Sequence, residues 1–466
     1  MDSWSIDPRK WAEQQFGECR LGNKRRTERL ITVAANVAGN PSGSFPEQMG
    51  LWKDLKAAYR LFDIPDVTFQ AILEPHWRHT RDCAPGRYLV IGDTTELDFG
   101  LSRQVPGLSR IGNGTGLGFL LHSGLMVGAD SEEIFGLAAQ TIHYRKPAPK
   151  NEKRSDMLAR ERESVVWGQV IDATGQPPTG AQFVHVLDRG GDNFEVYAHV
   201  LGQHADWVVR ANHLSRKFLT PSREKTSLKC YISQLPVAGT YALQLRARPQ
   251  QAARTATLEV RFGALSMLPP KHQSPYVKSH PAPIAMTVVW VREINAPKGV
   301  EPIEWVLLTS LPVNNFEDAW QVISYYEKRW LIEEWHKALK TGCHVTERQL
   351  KTTQRLEAMV GLMSVEAVRL LQLKSLARSE PNRPAREVVP PLWIDVLAAA
   401  SKQSFARPIT VRDFYRAIAK LGGFIGRKSD GEPGWITIWR GWEKLHLLIQ
   451  GSELIVRART NRQKYG

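Results

Sequence analysis

The spacing of apolar positions changes character several times along the chain. Over roughly the first 75 residues, short apolar stripes recur at helical spacing amid abundant Arg and Lys, which predicts amphipathic helices. Lys24, Arg25 and Arg26 run into Ile31-Thr32-Val33-Ala34-Ala35, so a basic cluster opens an apolar-faced helix. A second basic helix carries Lys53, Lys56, Tyr59 and Arg60. From Arg87 the pattern becomes one of short apolar runs bounded by turn residues, the mark of buried strands. One strand over 88–93 ends in Asp93, and two more follow over 118–127 and 133–142. A long polar helix is expected over roughly 155–173, then a strand over 183–187 ending in Asp188. A helix begins near Asp192, and 207–210 forms a fifth strand.

Three strands, a helix, a strand, a helix and a strand is the order of a ribonuclease-H-like α/β fold, although other α/β folds are compatible with it. Residues of about 212–312 mix basic loops with strand-like stretches and predict a β-rich insertion. The chain turns helical from Asn315, passes a proline-rich stretch over 381–391 that suits a linker, and is helical again from Val411, with Trp435, Trp439 and Trp442. The expected organisation is a helical domain over 1–75, a ribonuclease-H-like α/β domain over 76–372 with the β-rich insertion, and a helical domain over 373–466.

Composition narrows the partners. The chain has 466 residues, 42% hydrophobic and 23% charged, with a net charge of +15. Such an excess of cations favours a polyanion, either nucleic acid or an anionic membrane surface. No apolar run reaches the ~18–20 residues needed to span a bilayer. The N-terminus lacks the basic-then-apolar layout of a signal peptide. A cytoplasmic protein with access to DNA is therefore expected, with no membrane partner. The four cysteines are scattered without metal-ligand spacing, which speaks against a disulfide framework or structural zinc.

Asp93 and Asp188, each closing an apolar strand, can share a magnesium ion, which prefers hard oxygen ligands. A third acid completes a pair of ions ~3.5–4 Å apart. The stretch 326–340 holds no Pro or Gly and predicts one helix. Tyr326, Arg329, Glu333 and Lys340 fall near one of its faces, while Trp330, Ile332 and Trp335 are expected to pack it on the sheet. Glu333 would bind metal, Arg329 and Lys340 would hold phosphates, and Tyr326 would stack or hydrogen-bond on the strand. Glu334 is a rival carboxylate, but it lies ~100° around the helix.

The Tyr326…Arg329…Glu333…Lys340 pattern resembles the YREK signature of bacterial insertion-sequence DDE transposases that cut and paste through DNA hairpins. Ile91-Gly92-Asp93-Thr94-Thr95 and Asp188-Arg189-Gly190-Gly191-Asp192 resemble that family's two aspartate motifs. Pro302 to Ser310 resembles the end of its β insertion, and Leu421-Gly422-Gly423-Phe424 with the following tryptophans its dimerisation region. Leu21-Gly22…Arg25-Arg26-Thr27 resembles its end-binding domain. The resemblance implies Asp93, Asp188 and Glu333 as a catalytic, metal-binding triad holding two Mg²⁺ ions, with Mn²⁺ able to substitute. It implies Trp305 as the acceptor of a flipped base, and DNA contacts from Arg210, Arg25, Arg26 and Arg60. The expected partners are double-stranded DNA, as transposon ends and target, and a second copy of the chain. A nuclease without strand transfer, or a silent DNA-binding regulator, stands as the alternative.

Overall fold

The computed structural model describes residues 7–103, 105–147, 149–160, 162–245, 253–401, 408–427 and 430–465. Five helices open the chain: α1 (Pro8–Phe16), α2 (Lys24–Gly39), α3 (Phe45–Met49), α4 (Trp52–Phe62) and α5 (Phe69–Arg81). Their starts follow local chemistry. Asp7, Asn23, Ser44 and Thr68 each accept a backbone N–H of the helix they precede, satisfying donors that would otherwise lack partners.

The core sheet begins with β1 (Gly86–Asp98), β2 (Ser109–Ile111), β3 (Gly116–Gly128) and β4 (Ile134–His143). After α6 (Arg154–Ala159) and α7 (Val165–Thr174) come β5 (Ala181–Leu187), α8 (Phe194–Gly202) and β6 (Asp206–Arg210). β1, β3 and β4 form an antiparallel meander, and β5 and then β6 add in parallel on the other edge of β1. The spatial order β4-β3-β1-β5-β6 is that of a ribonuclease-H-like core.

Two predicted elements differ. The helix expected over 155–173 is two, one ending at Ala159 and the other beginning at Val165, and α7 is apolar. It buries Val166, Trp167, Val170 and Ile171. Asp93 does not end its strand: β1 runs on to Asp98 because it keeps pairing with β3 as far as Asp98↔Gly118, well past the last β5 partner.

The insertion comprises β7 (Lys217–Leu219), β8 (Lys225–Ser227), α9 (Leu228–Gln234), β9 (Gly239–Leu245), β10 (Arg254–Met267), α10 (Pro275–Lys278), β11 (Ile284–Ile294) and β12 (Glu304–Thr309). It continues the core sheet, since β12 pairs antiparallel with β6 through Thr309↔Val208 and Leu307↔Arg210. A single twelve-stranded sheet results.

The chain then enters α11 (Phe316–Glu327), α12 (Trp330–Lys337) and a π turn over 338–342. The single helix expected over 326–340 is thus interrupted twice, although Lys328 and Arg329 keep right-handed helical dihedrals. Ile332 and Trp335 are fully buried as expected, whereas Trp330 is 53% exposed with Lys337 over its ring.

α13 (Thr353–Ser379) is buried along most of its length, packs beside α5 and α12, and runs continuously through residue 373. The 381–391 stretch is packed rather than a free linker: Ala385, Val388 and Val389 are buried, and Pro384 bridges Thr410. α14 (Pro391–Ser401), α15 (Val411–Leu421) and α16 (Trp435–Tyr465) complete the C-terminal part. No helix among the described residues is long and apolar enough to cross a membrane.

Candidate active site

Parallel register brings the first two acids together. Gly92 of β1 pairs with Leu187 of β5, and the next residue on each strand is the aspartate, Asp93 or Asp188. At that step the strands part. β1 continues along β3, while β5 stops and Asp188 caps a short turn by accepting Gly190 N at 2.7 Å. Both carboxylates stand where the parallel ladder ends, so neither is sealed between strands.

α12 supplies the third. Asp93, Asp188 and Glu333 line one cavity of about 380 Å³ together with Thr94, Thr95, His336, Lys337, Lys340 and Thr341. Arg329 spans two of the acids, with Nη1 3.3 Å from Asp93 Oδ2 and Nη2 3.2 Å from Glu333 Oε1. The π turn carries Lys340, and irregular turns of this kind recur at functional sites. Glu334 faces elsewhere and pairs with Lys374 at 2.5 Å.

The electrostatics follow from crowding. Burial, then the neighbouring Asp188, pushes the Asp93 carboxyl up to about 6, against the pull of Thr94 N and Arg329. Burial lowers Lys340 from the usual lysine range, with Glu96, Asp93 and Glu333 opposing that shift. Three hard-oxygen carboxylates facing one cavity, one of them disfavoured as an anion, form a donor set that suits a divalent cation. As the side chains stand, no three His, Cys, Asp or Glu groups among the described residues are arranged to hold a metal ion. The cation between Asp93 and Glu333 is the Arg329 guanidinium.

A second, larger cavity of about 730 Å³ lies toward the insertion and is lined by Trp305, Trp290, Arg189, Arg210, Lys229 and Arg292, among others. Trp305 is half-buried, with its ring edge-on to Tyr326 at 5.8 Å. Tyr326 is only 7% exposed, so it supports Trp305 from behind and offers no free stacking face. Arg210 donates to the Glu304 carbonyl at 3.0 Å and lies beside the Tyr326 hydroxyl.

The N-terminal cations divide. Arg25 and Arg60 are exposed. Arg26 instead donates to Leu21 O and Asp66 Oδ2 at 2.9 and 2.8 Å, tying its own loop together. Sequence reasoning passed over His336, whose Glu333-x-x-His336 spacing already placed it on the face of Glu333. It is 8% exposed, and among the described residues its Nε2 has no hydrogen-bond partner. Also missed was His122, which meets Thr94 Oγ1 at 2.7 Å beneath Asp93; nothing in its own strand marked it.

Two family models match parts of the chain. Residues 8–67 match the family model described as "Transposase DNA-binding", and residues 365–461 match that described as "Transposase Tn5 dimerisation domain". Both matched segments are transposase segments and flank the ribonuclease-H-like core; the chain is similar to transposases over a DNA-binding segment at one end and a dimerisation segment at the other, which supports a transposase. In its C-terminal part it is similar to the Tn5 type. A solved cryo-EM structure of a piggyBac transposase synaptic complex with hairpin DNA matches at 11% identity, covering 83% of each chain with a TM-score of 0.37.

Proposed function

We propose that this chain is a DDE transposase of the cut-and-paste, hairpin-forming insertion-sequence type, using Asp93, Asp188 and Glu333. The observation that carries this reading is the convergence of those three acids with Arg329 and Lys340 on one cavity, in a chain matched to transposase DNA-binding and dimerisation segments. Asp93, Asp188 and Glu333 would hold magnesium, with manganese able to replace it. The bound ions would supply activation of the attacking oxygen and stabilisation of the leaving oxygen.

The chain's own groups position the DNA. Lys340, and Arg329 once displaced from the acids, would hold the non-bridging oxygens of the scissile phosphate. Water attacks the phosphate at the transposon's 3′ end and frees a 3′-hydroxyl; that hydroxyl then attacks the phosphate of the opposite strand, forming a hairpin on the transposon end and displacing the flanking DNA with its own 3′-hydroxyl. Water reopens the hairpin, and the hydroxyl then attacks target DNA. One site serves all four steps because each is an in-line phosphoryl transfer. Bending a strand back on itself unstacks a base, and Trp305, braced by Tyr326, would receive it.

Two copies acting on paired ends fit the dimerisation match. They also fit the exposed apolar residues of α16, where Leu447, Leu454 and Ile455 are each more than half exposed. The test is a denaturing gel of a labelled duplex carrying the DNA that flanks the gene, incubated with magnesium and either wild type or Glu333→Ala. Nicked, hairpin and joined products are expected from wild type alone. Wild-type cleavage by the variant would overturn the triad.

A further inference from the structure

Arg348 stands where distant parts of the chain meet. It is buried, at 4% exposure, and its terminal nitrogens are divided between two segments. Nη1 donates to Gly43 O and to Gln48 Oε1, the latter at 3.2 Å, and Nη2 donates to Pro41 O at 3.0 Å. Those acceptors belong to the α2–α3 loop and to α3, inside the segment matched to transposase DNA binding. Nη2 also donates to Cys343 O at 2.6 Å. Burial pulls the guanidinium down to about 10, still charged at neutral pH, so a full cation meets four neutral oxygens with little screening by water.

Through Cys343 this grip reaches the active site. The Cys343 N–H donates to Ala338 O at 2.9 Å and closes the π turn that carries Lys340. Gly342, inside the turn, lies against α16: a side-chain carbon there would fall 2.6 Å from the Trp439 ring. His344 follows with a left-handed φ of 50°, and lies 2.9 Å from Glu347 and 3.4 Å from Glu443 of α16. A left-handed backbone at a residue other than glycine persists only where its surroundings impose it. Arg103, in the loop after β1, donates to the carbonyls of Glu347 and Arg348. Residues 342–348 are therefore held at once by both matched end segments and by the core.

Parting the 41–48 loop from Cys343 would strand a buried charge, so the two move together. We propose that Arg348 is a positioning residue that couples the DNA-binding segment to the active site. Duplex DNA docking on residues 8–67 shifts the 41–48 loop, and with it the Cys343 carbonyl and the π turn that places Lys340. Arg348 itself touches no reacting group. The assignment rests on the DNA-binding and cleavage readings above and adds the route between them.

Hydrogen exchange read by mass spectrometry separates coupling from mere support, because it follows backbone protection segment by segment whether or not DNA is cut. The full chain would be compared free and bound to the flanking duplex, without metal. In wild type, DNA should raise protection over residues 24–62 and also over 338–348. Arg348→Lys keeps the charge but has a single nitrogen to divide. In that variant protection over 24–62 should rise as before, and that over 338–348 should not. Its affinity for the duplex should stay within about twofold of wild type, while single-turnover cleavage with magnesium at saturating DNA falls roughly tenfold. Should that variant not fold, Gln48→Met cuts the link from its N-terminal side alone and should show the same separation at smaller size.

Protection of 338–348 that persists in Arg348→Lys would show that DNA covers those residues directly, and would overturn the proposal. Affinity and cleavage falling together would mark plain loss of structural support and would overturn it too. Failure of wild type to bind the duplex would overturn both the proposal and the DNA-binding reading. Protection gained over both segments, and lost over 338–348 in Arg348→Lys, in a protein that never cleaves would support the coupling and overturn the cleavage reading instead.

Discussion

The Arg329 guanidinium lies 3.3 Å from the Asp93 carboxylate across 236 positions of sequence, and its other nitrogen reaches Glu333 at 3.2 Å. It occupies the space between two acids proposed to bind a cation, so a metal ion and this side chain compete. Arg329→Ala should therefore bind Mn²⁺ more tightly, by roughly tenfold, as followed by calorimetry or by electron paramagnetic resonance. It should also cleave at least about 100-fold more slowly, since a phosphate-holding group of this kind contributes several kcal/mol to the transition state. Unchanged Mn²⁺ affinity would show that the guanidinium does not block the site.

Glu333 and Glu334 adjoin in sequence and should behave oppositely. Glu334 is paired with the buried Lys374, whose ammonium also lies 4.3 Å from the Trp435 ring centre. Glu334→Ala strands that cation and should cost about 3 kcal/mol of stability. Glu333→Ala removes a carboxylate from an acid-crowded cavity and should leave the melting temperature unchanged or raised while abolishing cleavage. Thermal unfolding beside the cleavage gel separates the two.

Trp305→Ala should still nick. The edge-on contact with Tyr326 braces an aromatic face beside the cavity of the insertion, and losing that face removes compensation for an unstacked base. Accumulation of nicked DNA without the hairpin band is expected. Normal hairpin yield would remove Trp305 from the mechanism.

Buried histidines should oppose folding in acid. Burial holds His76, His122, His336 and His446 down to about 3 and His185 to about 4, from a usual 6.5. Between pH 6.5 and about 4 the unfolded chain takes up protons that the folded chain refuses. Their contribution is therefore fully present above pH 6.5 and is lost as the pH falls, by about 1.4 kcal/mol per pH unit for each histidine. Steep unfolding below pH 6 is expected. His446→Phe, at a site packed by Trp393 and Trp442, should flatten the slope by about one proton in denaturant titrations at several pH values.

Leu454→Arg on α16 should leave the fold and single-duplex binding intact, because Leu454 is 63% exposed. Paired-end complexes should be lost if that face joins two copies, which native gels or light scattering of the DNA complex would show.

Element types were legible from sequence because burial imposes its own period. The runs at 183–187 and 207–210 are strands because they are short and mostly apolar, and the stripe after Arg26 is a helix because its apolar positions recur every three to four residues. The three acids and Lys340, which line one cavity, were picked out in the sequence by acids after apolar runs and by helical spacing, although β1 runs on past Asp93 and Lys340 stands on the π turn after α12.

Position in space was decided elsewhere. That Asp93 stands beside Asp188 depends on the Gly92↔Leu187 register, a pairing across sheet neighbours that no local pattern encodes. That β1 continues past Asp93 depends on its partner β3, not on its own residues. The same holds for Arg26, which is held by Asp66, 40 residues away, and for Trp330, which is 53% exposed. Local periodicity determines which face of an element is apolar; only packing against other elements determines what that face meets.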